Sequence, residues 1–164
     1  MFKNKFSRRN WLRSMLMAPP ALVGLDAMSS TAKAAPISPN DNIKVTKMET
    51  FVLKNSWVFV KISTDAGITG WGEMLKDDAK ACAAGALEVG DYLIGKDPRP
   101  VVHHWQAIHR GAFYRGGPIK SAISSGIDQA LWDIAGKCYG VPVYKLLGGP
   151  TRDKVFVYGT PDPI

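Results

Sequence analysis

The sequence predicts an α+β fold, in which three antiparallel strands are followed by a bundle of helices, and three observations predict it. From Ile43 to Met74, β-branched and aromatic residues alternate with polar ones, with short polar turns between the runs. From Lys76 to Leu147 the apolar residues recur at steps of three and four instead. With 46% hydrophobic and 21% charged residues, the 164-residue chain is in the globular range and long enough for one core.

The first strand is read over Ile43 to Lys54, where Val45, Lys47, Glu49 and Phe51 alternate with Lys44, Thr46, Met48, Thr50 and Val52. Lys54-Asn55-Ser56 is a short polar loop, and a second strand runs from Trp57 to Thr64. Asp65-Ala66-Gly67 closes the next hairpin, with Gly67 able to take the positive φ such turns demand. Ile68 to Met74, containing Gly70-Trp71-Gly72-Glu73, is the third strand of an antiparallel meander.

Asp77 and Asp78 suit the N-cap and first turn of a helix that runs, Ala-rich, to Ile94, and Gly95 to Pro100 breaks it. A second helix spans Pro100 to Phe113, ending at Gly111. The third, Pro118 to Tyr139, carries the strongest periodicity: Ile119, Ala122, Ile123, Ile127, Ala130, Leu131, Ile134 and Cys138 form one stripe. Gly140 stops it. A helical turn at Val143 to Leu147 follows, then the Gly148-Gly149-Pro150 break and a strand from Lys154 to Gly159.

The formal charge of +7 is concentrated at the start. Lys3, Lys5, Arg8, Arg9 and Arg13 precede a short, interrupted apolar stretch, Met15 to Met28, too short to span a bilayer and ending in Ala32-Lys33-Ala34. These are the three regions of a secretory leader over residues 1–34, and Ser7 to Arg13, with its Arg8-Arg9 pair, resembles the twin-arginine signal. Export to the periplasm or beyond is the expectation, with 35–42 as a linker. The remaining chain has 15 basic and 13 acidic residues, a net +2. Without a basic run, neither nucleic acid nor a membrane anchor is expected.

Few residues promise chemistry. His103, His104 and His109 are wrongly spaced for chelation on a helix and are read as surface or partly packed. Asp128 and Asp133 are five apart, off a shared face; Asp133 is placed to pair with Lys137 one turn on. Cys82 and Cys138 lie in apolar helical patterns and are read as small buried residues, although an oxidising compartment permits a bridge. Phe113-Tyr114-Arg115-Gly116-Gly117-Pro118 sets two aromatics and a cation in a glycine-rich entry to a helix. That suits an anionic ligand and equally a plain connection.

Five segments carry a resemblance: Gly70 to Glu73, Tyr92 to Pro98, Phe113 to Pro118, Gly126 to Lys137, and Gly140 to Val143 with Leu146 to Gly149. Together they resemble the N-terminal capping domain of the mandelate racemase and muconate lactonizing group of the enolase superfamily, over roughly Ile43 to Tyr158. Phe113 to Pro118 is most similar to its D-galactonate dehydratase branch. The resemblance implies a capping domain over 43–150, an enolase N-terminal domain-like fold, and the start of a TIM barrel over 151–164, where the sequence stops. In that family Mg²⁺ holds the enediolate formed when a proton is taken α to a carboxylate. The ligands and acid/base residues sit on barrel strands, so neither a catalytic residue nor a bound metal is expected in this chain. Asn55, Ser56, Trp57, Phe113, Tyr114, Arg115, Gly116 and Gly117 are expected to cap a small sugar acid. Another acid-sugar dehydratase, a racemase, a cycloisomerase, or a non-catalytic module acting with a barrel in trans are the alternatives; the family is often homo-oligomeric.

Overall fold

A computed structural model describes residues 37–38, 41–54, 57–111, 115–157 and 159. β1 (Val45–Val52), β2 (Val58–Thr64) and β3 (Thr69–Met74) form a three-stranded antiparallel sheet in that order. α1 (Ala79–Gly90), α2 (Val101–Arg110), α3 (Pro118–Tyr139) and the single turn α4 (Val143–Leu146) follow. The expected meander and helix order form, with α3 running over the residues its periodicity predicts.

One face of the sheet is the core face. Val58, Val60 and Ile62 of β2 are fully buried there, beside Gly70, Gly72 and Met74 of β3. They pack against the Ile123, Ile127, Ala130, Leu131 and Ile134 stripe of α3 and against Cys82 and Ala86 of α1. The opposite face carries Glu49, Phe51, Lys61 and Trp71: Lys61 reaches Glu49 at 3.9 Å and lies 5.7 Å over the Trp71 ring, which stands 5.5 Å from Phe51.

β1 departs from simple alternation. Val45 pairs with Thr64 and Lys47 with Ser63, so Thr46 is an extra residue in a bulge. The bulge flips the strand: Val45 is buried, yet beyond it Met48, not Lys47 or Glu49, lies over the core, paired with Ile62. Grouping Val45 with Lys47, Glu49 and Phe51 was therefore wrong. Val45 bonds outward instead, its N–H to Lys96 O at 2.9 Å and its carbonyl accepting from Gly95 N at 2.8 Å.

The start of α1 holds in part and the last strand does not. Asp78 is the N-cap of α1 as expected, with a φ of 58° and no side-chain bond, its carbonyl accepting from Cys82 N, but neither Asp77 nor Asp78 enters the first turn, which begins at Ala79. The residues after Gly90 form turns. Lys154 to Val157 form no strand. Val155, Phe156 and Val157 are exposed there, and strand propensity without a packed neighbour does not make a strand.

The segment before Ile43 is tied down where it is described. Ile37 N–H donates to Cys138 O at 2.9 Å, and Arg99 donates to the Asp41 and Ser38 carbonyls at 2.7 and 3.4 Å. Arg99 also pairs with Asp97 at 2.6 Å. No helix among the described residues is long and apolar enough to cross a membrane.

Candidate functional site at one end of the sheet

The pairing register decides what meets what. Val58 opposes both Val52 of β1 and Met74 of β3, so the β1–β2 loop and the exit from β3 lie side by side. Leu53 N–H donates to Trp57 O at 2.8 Å, closing the loop and leaving Trp57 exposed. The N-terminal end of α3 arrives at the same place, because Gly126 packs against Met74 and Glu73.

An open groove of about 650 Å³ runs between the β3 exit and α3, walled by Glu73, Met74 and Leu75 on one side and Pro118, Ser121, Ala122, Ser125 and Gln129 on the other. The α3 wall is held in place: Gln129 Oε1 accepts from Glu73 N–H at 3.0 Å, and Gln129 Nε2 donates to Ser125 Oγ at 3.1 Å. Gly116 and Gly117, at φ 83° and 88°, turn the chain into Pro118 through two successive left-handed conformations that favour glycine. Gly117 O then accepts from Ser121 N–H, opening the helix.

Of the expected capping residues, Trp57 and Gly117 thus lie at the grooved end. Arg115 and Gly116 line a different, more enclosed cavity between the helices. Asn55, Ser56, Phe113 and Tyr114 lie outside the described residues, as do Arg8 and Arg9. The polar wall of the groove was not anticipated, although Ser121, Ser125 and Gln129 stand at steps of four on one helix, the spacing of a shared face.

His104 corrects the reading of the histidines as surface or partly packed. At 3% exposure it is buried, with Nε2 at 2.6 Å from Asp97 O and Nδ1 at 3.3 Å from the Tyr92 hydroxyl. A carbonyl can only accept, so Nε2 carries the hydrogen, and Nδ1 faces the Tyr92 hydroxyl. His109 stacks flat on Trp105, with ring centroids 5.1 Å apart. Asp133 pairs with Lys137 at 2.7 Å as expected. Cys82 and Cys138 are buried free thiols, and burial pushes both above the ordinary thiol value. Burial likewise raises Asp128, against a hydrogen bond from Trp132 that lowers it.

The described carboxylates do not suit Mg²⁺, which needs several oxygen donors about one centre. Among the described residues no three His, Cys, Asp or Glu converge. Asp97, Asp133 and Glu49 are each engaged by cations of their own.

Residues 20–148 match the family model of the mandelate racemase/muconate lactonizing enzyme N-terminal domain. The chain belongs to this family. It is 50% identical over 117 residues to D-galactonate dehydratase of Ralstonia nicotianae and 52% to that of Pectobacterium atrosepticum. Each match covers 71% of this chain and 31% of the relative, so the chain spans about a third of their length. Among solved structures, an enolase superfamily member from Salmonella Typhimurium is 41% identical with a TM-score of 0.63, over 68% of this chain and 31% of that one. An enolase from Pantoea ananatis with bound D-gluconate and Mg is 38% identical with a TM-score of 0.64, over 68% and 28%. The three-stranded sheet with its helices is the enolase N-terminal domain fold.

Proposed function

We propose that this chain is the substrate-capping part of a Mg²⁺-dependent sugar-acid dehydratase acting on D-galactonate or a close analogue. The observation that carries this is the gathering of the Trp57 loop, the β3 exit and the Gly117–Pro118 turn at one end of the sheet, in a chain about half identical to D-galactonate dehydratases. An exposed indole beside a groove walled by hydroxyls and an amide suits a polyhydroxylated acid, with carbon faces for the ring and hydroxyls for the polar wall. The described carboxylates do not form a metal cage, so the reading assigns Mg²⁺ to the full-length enzyme and gives this domain selectivity, not bond making.

The test supplies the remainder in trans. The 164-residue chain is mixed with the barrel portion of the Ralstonia relative, and loss of water from D-galactonate is followed with and without Mg²⁺. The chain alone should give no turnover, and the mixture should turn over only with Mg²⁺. Trp57→Ala should raise KM about tenfold with kcat less affected, as removal of uniform binding does. Turnover by the chain alone, abolished by EDTA, would put the chemistry in this domain. A barrel with equal rate and selectivity without it would end the capping role.

The Arg8-Arg9 pair and the Ala34 site support export by the twin-arginine route as part of the same proposal. A reporter fused to residues 1–40 should reach the periplasm, and changing both arginines to lysine should keep it inside. Equal export of both fusions would sink this route.

A further inference from the structure

Where α1, α2 and α3 meet, a cavity of about 100 Å³ is lined by Val89, Ile108 and Ile123 at its base and by His109, Arg115, Lys120, Ser121 and Ser124. It is distinct from the groove at the β3 exit, whose lining shares only Ser121. Ser124 is 9% exposed, and its Oγ is fully buried with no hydrogen-bond partner among the described residues. A helical serine ordinarily returns its hydroxyl to a carbonyl one turn back or leaves it in water. Leaving a buried hydroxyl without either costs about 1–3 kcal/mol. The described lining also holds the permanent cation of Arg115 and no carboxylate.

We propose that this cavity is a binding site for a small oxyanion, of the phosphate or carboxylate type. The Ser124 hydroxyl donates to one oxygen, while the Arg115 guanidinium neutralises the charge from the rim. The apolar base formed by Val89, Ile108 and Ile123 keeps the pairs partly dry, where charge-assisted bonds are strongest. Size sets the class: the volume is well below the roughly 300 Å³ at which pockets for organic ligands begin, so a sugar acid does not fit and a single oxyanion group does. The inference does not rest on the dehydratase reading, because it uses neither the groove nor a barrel.

Thermal melts of the 164-residue chain in inorganic phosphate or sodium acetate, at ionic strength held constant with NaCl, test it. A saturable rise in Tm is expected at millimolar concentrations, and whichever anion gives the lower midpoint identifies phosphate or carboxylate as the preferred source. Ser124→Ala and Arg115→Gln should each raise that midpoint about tenfold, the worth of one charge-assisted hydrogen bond. Ser124→Ala should melt no lower than the parent without anion, since it removes an unpaired hydroxyl and substitutes a better helix former. Amide shifts on titration should centre on residues 115–124. A linear rise with both anions, an unchanged midpoint in both variants, or shifts centred elsewhere would overturn the proposal.

Discussion

Asp97 and Arg99 show how two side chains fix a segment far from them in sequence. Arg99 gives Nε and Nη2 to Asp97 and uses the same Nη2 on Asp41 O, so the acid orients the cation that holds the chain before Ile43. Partial burial works against the Asp97 carboxylate, but hydrogen bonds from the Arg99 side chain and backbone, with its charge, outweigh burial and hold Asp97 below the ordinary carboxylate value. Its contribution is therefore complete above the unfolded value of about 3.9 and is lost as pH falls through the lower folded one. Asp97→Asn should cost about 1–2 kcal/mol at pH 7 and flatten the acid limb of stability, read by urea melts between neutral and acid pH. Asp128 runs the other way: burial, only partly offset by Trp132, raises it, so folding disfavours its charge at neutral pH. Stability from this group is highest below its unfolded value and falls as pH rises through the folded one. Asp128→Asn should thus raise stability at pH 7, by up to about 1 kcal/mol, and a loss there would refute the burial argument. The Asp133–Lys137 pair was legible because i,i+4 spacing is local. His104 was not, since its partners Tyr92 and Asp97 come from another segment and periodicity reports a residue's face, not what covers it.

At the scale of elements, the closest packing is between β3 and α3. A Cβ on Gly70 would collide with Ala130 O, and one on Gly72 with Gly126 O, so the Gly-Trp-Gly-Glu motif is first a packing device. The outer edge of β3 is then stitched to the helix by three side chains one turn apart. Gln129 accepts from Glu73 N–H, Asp133 accepts from Trp71 N–H, and Lys137 donates to Thr69 O at 2.7 Å. Four helical residues rise about 6 Å and two strand residues about 6.8 Å, so the two ladders stay in step over three rungs. An edge strand finished this way offers few free groups for another strand to pair with. Asp133→Ala removes the Trp71 acceptor and the Lys137 partner and should cost about 1–2 kcal/mol, whereas Asp133→Asn, which keeps an acceptor, should lose less. Gly72→Ala should cost about 3 kcal/mol or more, because backbone and not a movable side chain stands in the way. Equal losses in the two Asp133 variants would show that the ion pair, not the strand bond, matters. Turns and α3 were readable because glycine and period mark them locally. The β1 bulge was not: alternation continued through Thr46, and only the partner strand reveals the extra residue. Of the groove, the glycine turn into Pro118 was readable, while the Ser121, Ser125 and Gln129 wall needed the β3 exit beside it to become a groove.

At the scale of the whole molecule, the buried residues from the sheet, α1, α2 and α3 form one cluster with Ile43 and Leu93, and no described residue beyond Gly149 belongs to it. Val155, Phe156 and Val157 are 75%, 95% and 90% exposed, a contiguous apolar run with high strand propensity and no strand partner. Scattered surface hydrophobics need no explanation, but a consecutive exposed run outside any regular element presents contiguous apolar area. The 164-residue chain is therefore expected to self-associate at micromolar concentrations, through this run and not through its core. The double substitution Phe156→Lys, Val157→Thr should restore a monomer, since a charge on an exposed strand-prone segment opposes stacking. The same substitution should leave the thermal transition unchanged within about 0.5 kcal/mol, because these side chains lie outside the core cluster. Sedimentation velocity across a concentration series separates the outcomes. A parent chain that stays monomeric throughout would show the run to be harmless. Association that persists in the double variant would move the interface elsewhere, with the Phe51 and Trp71 face of the sheet next to be tested.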